Sequence, residues 1–343
     1  MSFSIPEGMT GVSGMTFNTV TVLGAGAWGT ALANAAARAG RQVTLWARDS
    51  AQVEALAATR ESRYLPGVKL EAGITPQADL ALAAKAGLVL AVVPAQATRS
   101  LLDQLAGHLP AGVPIVYCSK GIEQGTGLFL HDISAACLPA NPAAILSGPS
   151  FAADVSRGLP TAVTLAAFDE DLARRIAAAL AGPALRLYHA TDVIGVEIGG
   201  AAKNVLAIAC GIAAGRGLGA SAGAALVARG FAELSRFGRA FGARPETLMG
   251  LSGLGDLVLT CSSTQSRNFS FGVALGRGER PGEAGHGKLA EGAYTASVLV
   301  QMARSKGVEL PIAEAVEGII SGHMGVADAV GTLLARPSKA EGS

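Results

Sequence analysis

Charge and cysteine are both scarce in this sequence. Only 15% of its 343 residues are charged, the net charge is +1, and the two signs are interspersed. Because no basic stripe with interleaved aromatic residues is present, we expect no nucleic-acid partner. The four cysteines are widely spaced and form no CxxC pair. They therefore predict neither a metal site nor a disulfide framework, and they favour a reducing, cytoplasmic location.

Long uncharged apolar runs are missing too. The longest, residues 88–98 and 205–215, are far shorter than the ~20 residues that a membrane span requires. Residues 1–18 contain neither a basic segment nor a continuous apolar segment of the signal-peptide type, and we expect a flexible tail there. Residues 337–343, with Ser, Lys and Gly, predict a second flexible tail.

The sequence is instead rich in hydrophobic residues (50%) and in glycine (45 residues), which allows a large and closely packed core. Short apolar runs that end at turn residues predict strands at 20–23, 42–47, 88–93, 115–118, 144–146, 162–166 and 185–188. Helical patterns between them cover 27–39, 98–108, 127–137 and 170–180. This alternation predicts an α/β fold with a parallel, doubly wound Rossmann sheet.

The character of the chain changes after about residue 191. Ala- and Leu-rich helical patterns then dominate, at 195–213, 220–238, 245–249 and 292–305. We therefore expect a dinucleotide-binding Rossmann domain at 19–191 and an all-helical substrate domain at 192–336, flanked by the tails 1–18 and 337–343.

The first predicted strand and helix are joined by Gly24-Ala25-Gly26-Ala27-Trp28-Gly29, which matches the GxGxxG pattern. Its first glycine allows a tight turn, its second a close approach to a pyrophosphate, and its third close helix–strand packing. Glycine is common in this chain, so the pattern is specific only because a strand precedes it and a helix follows. Trp28 is either a packing residue or a cover for the cofactor, which we expect to be NADP(H) or NAD(H).

The second predicted strand ends in Ala47-Arg48-Asp49, about 20 residues beyond the loop, where an acid commonly binds the adenosine ribose. Arg48 occupies the region of a 2′-phosphate and predicts that NADP(H) is accepted, whereas Asp49 could still serve NAD(H). A solvated Arg48–Asp49 turn is the alternative.

Two more strand ends carry residues suited to ligand contact, because open α/β sheets bind ligands beyond the carboxyl ends of their strands. The strand at 115–118 leads to Lys120, a cation that elsewhere would more often be a solvated surface residue. The strand at 144–146 leads to the small-residue loop Gly148-Pro149-Ser150-Phe151-Ala152.

A lone cation, Lys203, lies in an apolar helical segment. A buried lysine has a lowered pKa and can donate a proton near neutral pH, as carbonyl reduction by hydride requires. The alternative is a lysine that snorkels from the helix end. Asp256, in a glycine-rich turn, either orients Lys203 or caps the next helix. The polar run at 260–268 combines Ser266, Arg267 and Asn268, and it is either a phosphate site or a plain loop.

Taken together, these segments resemble the NAD(P)-dependent glycerol-3-phosphate dehydrogenase family, of the bacterial type, from residue 19 to about residue 334. The resembling segments are 24–29, 119–121, 148–152, 197–204, 253–257, 260–268 and 290–295. The resemblance implies reversible reduction of dihydroxyacetone phosphate to sn-glycerol 3-phosphate, a precursor of glycerophospholipids.

The resemblance also implies roles for single residues. Lys203 would be the general acid/base and would also bind the substrate. The other residues implied to hold or line the substrate are Lys120, Gly148, Ser150, Asp256, Ser266, Arg267 and Asn268. Those implied to lie near the cofactor, besides Gly24, Gly26, Ala27 and Gly29 of the loop, are Trp28, Arg48, Lys120, Ala152, Arg267, Leu289 and Glu291. Two departures are Ala27, where the family often has serine, and the long N-terminal tail.

Other functions remain open on sequence alone. A β-hydroxyacid dehydrogenase or a ketopantoate-reductase-like enzyme would join similar domains around a lysine but would recognise a carboxylate. A catalytically silent NADP(H)-binding sensor would bind the cofactor without turnover, and a structural or interaction protein is the remaining alternative. The apolar helices of the second domain could form the face of a homodimer.

Overall fold

The computed structural model describes residues 17–284 and 290–335. Most of the two predicted tails, and Leu289, therefore lie outside the described residues. Phe17, the first described residue, is only 3% exposed and packs in the core of the sheet domain. The Arg175 guanidinium lies 5.3 Å from the centre of its ring. The packed part of the chain thus reaches into the segment that the sequence predicted as a tail.

The described residues form eight strands and fifteen α-helices. The strands are β1 (Thr19–Leu23), β2 (Gln42–Trp46), β3 (Ile74–Gln77), β4 (Leu88–Ala91), β5 (Ile115–Tyr117), β6 (Ala143–Ser147), β7 (Thr161–Ala167) and β8 (Leu185–Ala190). The helices of the first half are α1 (Ala27–Arg38), α2 (Ser50–Thr59), α3 (Leu80–Ala83), α4 (Thr98–Leu105), α5 (Leu130–Cys137), α6 (Ala152–Ser156) and α7 (Glu170–Leu180). Those of the second half are α8 (Val193–Gly215), α9 (Gly219–Ala240), α10 (Pro245–Met249), α11 (Asp256–Cys261), α12 (Arg267–Gly276), α13 (Glu291–Ser305), α14 (Pro311–Ile320) and α15 (Val326–Leu334).

All eight strands belong to one sheet, in the order β3-β2-β1-β4-β5-β6-β7-β8. Neighbours are parallel, as the alternation of strands and helices predicted, except for β6 and β7, which are antiparallel. The reason lies in the connection. The helix α6 has five residues and is about 8 Å long, whereas a seven-residue strand is about 23 Å long. Such a short helix does not carry the chain back along the sheet, and β7 runs in the opposite direction.

This topology gathers the carboxyl ends of β1, β4, β5 and β6 at one edge of the sheet, because these strands are mutually parallel. The glycine loop, Lys120 and Gly148 all follow these strand ends. The side chains that the sequence singled out in the first domain therefore meet at this edge.

The second domain is built around α8, a helix of 23 residues of which nearly all are buried. Helices α9, α11, α12 and α13 pack around it. By length and composition alone α8 could cross a membrane, but 89% of its most apolar stretch is buried inside the protein, as in the core helix of a globular domain. The helix contains the charged residues Glu197 and Lys203, so it is not one of the uncharged apolar runs of the sequence.

Candidate active site

The glycine loop has the local geometry that its sequence predicts. Gly24 has a φ of +120°, which side chains rarely allow, and it ends β1 with a backbone hydrogen bond to Trp46. A Cβ on Gly29 would lie 1.7 Å from the carbonyl oxygen of Gly24, so helix and loop are in direct backbone contact there. Both glycines are therefore required by the turn itself.

Gly26 and Trp28 indicate that the loop suits a dinucleotide. A Cβ on Gly26 would have no atom within 4 Å, so open space faces the start of α1, where helical N–H groups are available to a phosphate. The indole Nε1 of Trp28 is buried and has no hydrogen-bond partner among the described residues, although its ring packs on the domain core. Ala27 is the first residue of α1 and offers only its backbone N–H.

Beyond β2, Arg48 is exposed at the carboxyl edge of the sheet. Asp49 is the N-cap of α2 and accepts a 3.1 Å hydrogen bond from the N–H of Ala51. Its other oxygen lies 3.6 Å from the Arg63 guanidinium. Asp49 thus caps α2, and both residues of the pair are exposed to solvent.

The ends of β5 and β6 are joined through Lys120. Its Nζ donates a 3.0 Å hydrogen bond to the carbonyl oxygen of Gly148, and the Ser150 hydroxyl donates to the same oxygen at 3.0 Å. Two buried serine hydroxyls beside them, Ser119 and Ser147, have no partner within the described part of the chain. The strand ends therefore form a polar surface on which the Ser119 and Ser147 hydroxyls remain available as hydrogen-bond donors.

The two domains meet at the carboxylate of Asp256. Its Oδ2 lies 2.7 Å from Nζ of Lys120, and its Oδ1 lies 2.5 Å from Nζ of Lys203. The side chains are 1%, 14% and 7% exposed for Asp256, Lys120 and Lys203, respectively. Lys203 does not snorkel to solvent, and Asp256 contacts it directly, so the two expected partners are brought together.

The charges of this cluster perturb one another. Burial lowers the pKa of Lys203, Asp256 opposes that shift, and Lys120 adds to it, which leaves the pKa at about 7. Burial alone would raise the pKa of the Asp256 carboxyl, but the attraction of Lys120 and Lys203 holds it below its usual range. At neutral pH the carboxylate is therefore ionised, and Lys203 exchanges a proton readily.

Thr260 is a member of the cluster to which the sequence analysis gave no role. Its hydroxyl accepts a 2.9 Å hydrogen bond from Nζ of Lys203 and donates to the backbone oxygen of Asp256 at 2.6 Å. The signal was present in the spacing, because Asp256 and Thr260 are four residues apart in α11 and share one helix face.

A chain of amides connects the cluster to the polar segment near residue 268. Asn204 donates to the carbonyl oxygen of Lys120 at 2.9 Å, and its own oxygen accepts from Asn268 at 2.9 Å. The oxygen of Asn268 accepts from the N–H of Gly292 at 2.8 Å. Asn268 is thus brought to the site, and Asn204 is a second connecting residue that was not singled out.

The remaining predicted site residues lie in different surroundings. The Ser266 hydroxyl caps α12 by accepting from the N–H of Phe269 at 3.2 Å. Arg267, the first residue of α12, is exposed and attracts the carboxylate of Glu291. Glu291 accepts from the N–H of Ala95 just beyond β4 at 3.2 Å, and burial raises its pKa. Ala152 is partly buried at the start of α6.

Models of one protein family match both halves of the chain. The NAD-dependent glycerol-3-phosphate dehydrogenase N-terminus matches residues 19–173, and the C-terminus of the same family matches residues 192–331. The chain belongs to the NAD-dependent glycerol-3-phosphate dehydrogenase family. It is 63% identical over 327 residues to "Glycerol-3-phosphate dehydrogenase [NAD(P)+]" of Azorhizobium caulinodans, which covers 95% of this chain and 99% of the relative.

Solved structures agree with this assignment. The crystal structure of glycerol-3-phosphate dehydrogenase from Coxiella burnetii superposes with a TM-score of 0.89 at 38% identity, covering 94% of this chain and 100% of that one. A ketopantoate reductase from Ralstonia eutropha JMP134 has a TM-score of 0.58 at 20% identity, covering 88% of this chain and 97% of its own. The second likeness shows a shared fold alone.

The comparisons confirm several of the sequence predictions. The family, the Rossmann domain with its helical second domain, and an NAD(P)-dependent oxidoreductase are all confirmed. The boundary at residue 191 and the roles of single residues stay predictions.

Proposed function

We propose that this protein reduces dihydroxyacetone phosphate reversibly to sn-glycerol 3-phosphate with NADPH or NADH. The observation that carries the proposal is the buried contact between Lys203 and Asp256 beside Lys120, at the sheet edge where the glycine loop also lies. A ketone that accepts a hydride also needs a proton at its oxygen, and a buried lysine with a pKa of about 7 can supply it.

In this proposal Lys203 holds the proton at Nζ and passes it to the substrate oxygen. Two of its hydrogen-bonding directions are taken by Asp256 and Thr260, which leaves the third for the substrate. Bound NAD(P)H supplies the hydride. Lys120 would contact the substrate from the strand ends, and Asp256 would keep both ammonium groups oriented.

The phosphate of the substrate would bind near the start of α12. Arg267 offers a planar guanidinium for paired hydrogen bonds, and it is the first residue of α12, where helical N–H groups can bind an anion. Gly148, Ser150, Ser266 and Asn268 would line the rest of the pocket. Arg48 would face a 2′-phosphate, while Trp28, Ala152 and Glu291 would border the cofactor.

Oxidation of NADPH and NADH in the presence of different ketones tests the reaction. We expect rapid loss of nicotinamide absorbance with dihydroxyacetone phosphate and little with carboxylated ketones such as ketopantoate. Turnover with the carboxylated ketones alone would favour the ketopantoate-reductase-like alternative. Cofactor binding with no turnover on any ketone would favour a silent sensor.

The physiological setting belongs to the same proposal. Reduction would supply glycerol 3-phosphate for glycerophospholipid synthesis in the cytoplasm, where the four cysteines, all free thiols, would stay reduced. A homodimer would use the helical domain, whose Leu218 and Leu334 are 44% and 81% exposed. The molar mass in solution, measured by light scattering, tests the dimer.

A further inference from the structure

Helices α5 and α8 are joined by a buried pair outside the proposed site. The Nδ1 of His131 lies 2.5 Å from one carboxylate oxygen of Glu197, and the backbone N–H of His131 donates to the other at 3.0 Å. The Glu197 side chain is 3% exposed and that of His131 is 15% exposed. One residue of the sheet domain therefore satisfies both oxygens of a carboxylate from the helical domain.

The contact also contributes to the cap of α5, in addition to Asp132, which accepts from the N–H of Phe129 at 3.2 Å. That helix begins after Phe129, a residue that provides no side-chain acceptor, so its first N–H groups need partners from elsewhere. The Glu197 carboxylate supplies one and lies at the positive end of the helix. The imidazole ring also contacts Phe129, stacked at 6.1 Å, and Phe168, edge-on at 5.4 Å. These ring contacts add to the two hydrogen bonds with Glu197.

Glu197 and Lys203 are on one continuous helix, six residues or about 9 Å apart. Between them α8 passes other parts of the chain closely. A Cβ on Gly199 would lie 2.5 Å from the carbonyl oxygen of Ser252, and one on Gly200 would lie 2.8 Å from the Ser147 hydroxyl. Because α8 has so little clearance, its rotation and its position along its own axis determine where Lys203 lies.

We propose that His131 and Glu197 are positioning residues, which lock α8 onto the sheet domain and thereby set where Lys203 meets the substrate oxygen. The inference rests on the proposed acid/base role of Lys203. Neither residue is among those proposed to contact the substrate or the cofactor. The pair acts through the helix, so its loss affects the chemical step and leaves the binding of the dinucleotide at the glycine loop unchanged.

Glu233 provides a matched control for a purely structural role. It is also a buried carboxylate of the helical domain that caps a helix, accepting from the N–H groups of Ile312 and Ala313 at 2.7 and 3.3 Å. These belong to α14, which carries none of the proposed site residues. Glu197→Met and Glu233→Met remove the same acceptor from the same kind of contact.

The experiment measures kcat, KM for NADPH, the primary deuterium isotope effect with deuterated NADPH, and thermal stability. For Glu197→Met and for His131→Phe, which keeps the stacked ring, we expect kcat to fall about tenfold and the isotope effect to rise, with KM for NADPH unchanged. Glu197→Gln, which retains an acceptor, should restore most of kcat. Glu233→Met should lower the melting temperature while kcat stays normal. In the double variant of His131 and Glu197 the loss should not exceed that of the worse single variant.

Normal kcat and isotope effect in folded Glu197→Met and His131→Phe, with a lowered melting temperature like that of Glu233→Met, would overturn the proposal. If Glu197→Met does not fold, His131→Phe and Glu197→Gln decide it: normal kcat in His131→Phe would also overturn it. The acid/base role fails by a different result, full turnover in Lys203→Met. The two failures are therefore distinguishable.

Discussion

The Nζ of Lys203 lies 2.5 Å from Oδ1 of Asp256, and both side chains are almost completely shielded from solvent. Burial favours the neutral lysine, whereas the carboxylate favours the charged one, and the balance leaves the pKa of Lys203 at about 7. An exposed lysine would stay protonated at this pH. The contact thus produces a group that can both give and take a proton under neutral conditions.

Replacement of Lys203 by methionine should abolish most of the turnover and leave the cofactor site intact. Loss of a general acid lowers rates by about 10²–10⁴-fold. We expect kcat to fall by about 10³-fold, with the NADPH affinity, measured by fluorescence titration, unchanged. Lys85→Ala, at an exposed position in the sheet domain, is the control. Near-normal kcat in Lys203→Met would assign the proton transfer to another group.

The two directions of the reaction should depend oppositely on pH. Reduction needs protonated Lys203, so its kcat/KM should fall as the pH rises above about 7. Oxidation of glycerol 3-phosphate needs the neutral amine, so its kcat/KM should fall as the pH drops below about 7. Initial rates of both directions over a pH series measure this. A reduction rate that stays flat to pH values near the ordinary lysine pKa would contradict the assignment.

Asp256→Asn should move that pH profile to lower pH. The substitution removes the charge that raises the pKa of Lys203, while burial and Lys120 continue to lower it. We expect the reduction profile to shift down by about one pH unit or more, with a lower rate at neutral pH. Asp328→Asn, an exposed carboxylate of α15, should leave the profile unchanged. A shift towards higher pH would mean that Asp256 acts in another way.

Arg48→Ala should weaken the use of NADPH relative to that of NADH. A hydrogen bond to a charged group is worth about 1.5–3 kcal/mol, so KM for NADPH should rise about tenfold or more and that for NADH little. Arg186→Ala, whose guanidinium stacks on Tyr188 of the edge strand β8, serves as the control. Equal changes for both cofactors would leave Arg48 without a role at the 2′-phosphate.

Gly26→Ala and Gly29→Ala should separate cofactor binding from folding. The Cβ on residue 29 would collide with the Gly24 carbonyl, and we expect a loss of about 3 kcal/mol of unfolding free energy, read from denaturant titration. The Cβ on residue 26 would meet no protein atom, so stability should be kept and NADPH binding weakened. Unweakened binding in Gly26→Ala would mean that the pyrophosphate does not approach this backbone.

Local sequence signals were sufficient to predict the bounds of regular helices. Helices α7 and α10 begin and end where their patterns predict, because an acidic N-cap and an initial proline mark their starts. Strand β3 was not predicted. It contains Pro76, a residue that is rare in central strands. In the sheet β3 is the edge and pairs only with β2, where a proline is tolerated.

The candidate site was predictable as a set of residues but not as a set of contacts. Lys203 and Asp256 differ enough from their apolar surroundings to be noticed one by one. The hydrogen bond between Asn204 and Asn268 joins residues 64 positions apart, and no local pattern carries that information. The direction of β7 was missed for a related reason, because alternation of side chains is the same in either direction.

Helix α8 has a consequence for the newly made chain. By length and composition alone it resembles a membrane-spanning segment, with a mean hydropathy of 1.5 over its most apolar 18 residues. A lysine near the middle of such a segment costs about 3 kcal/mol in membrane insertion. The charge of Lys203 therefore opposes membrane insertion of this segment, independently of its proposed role in the folded protein.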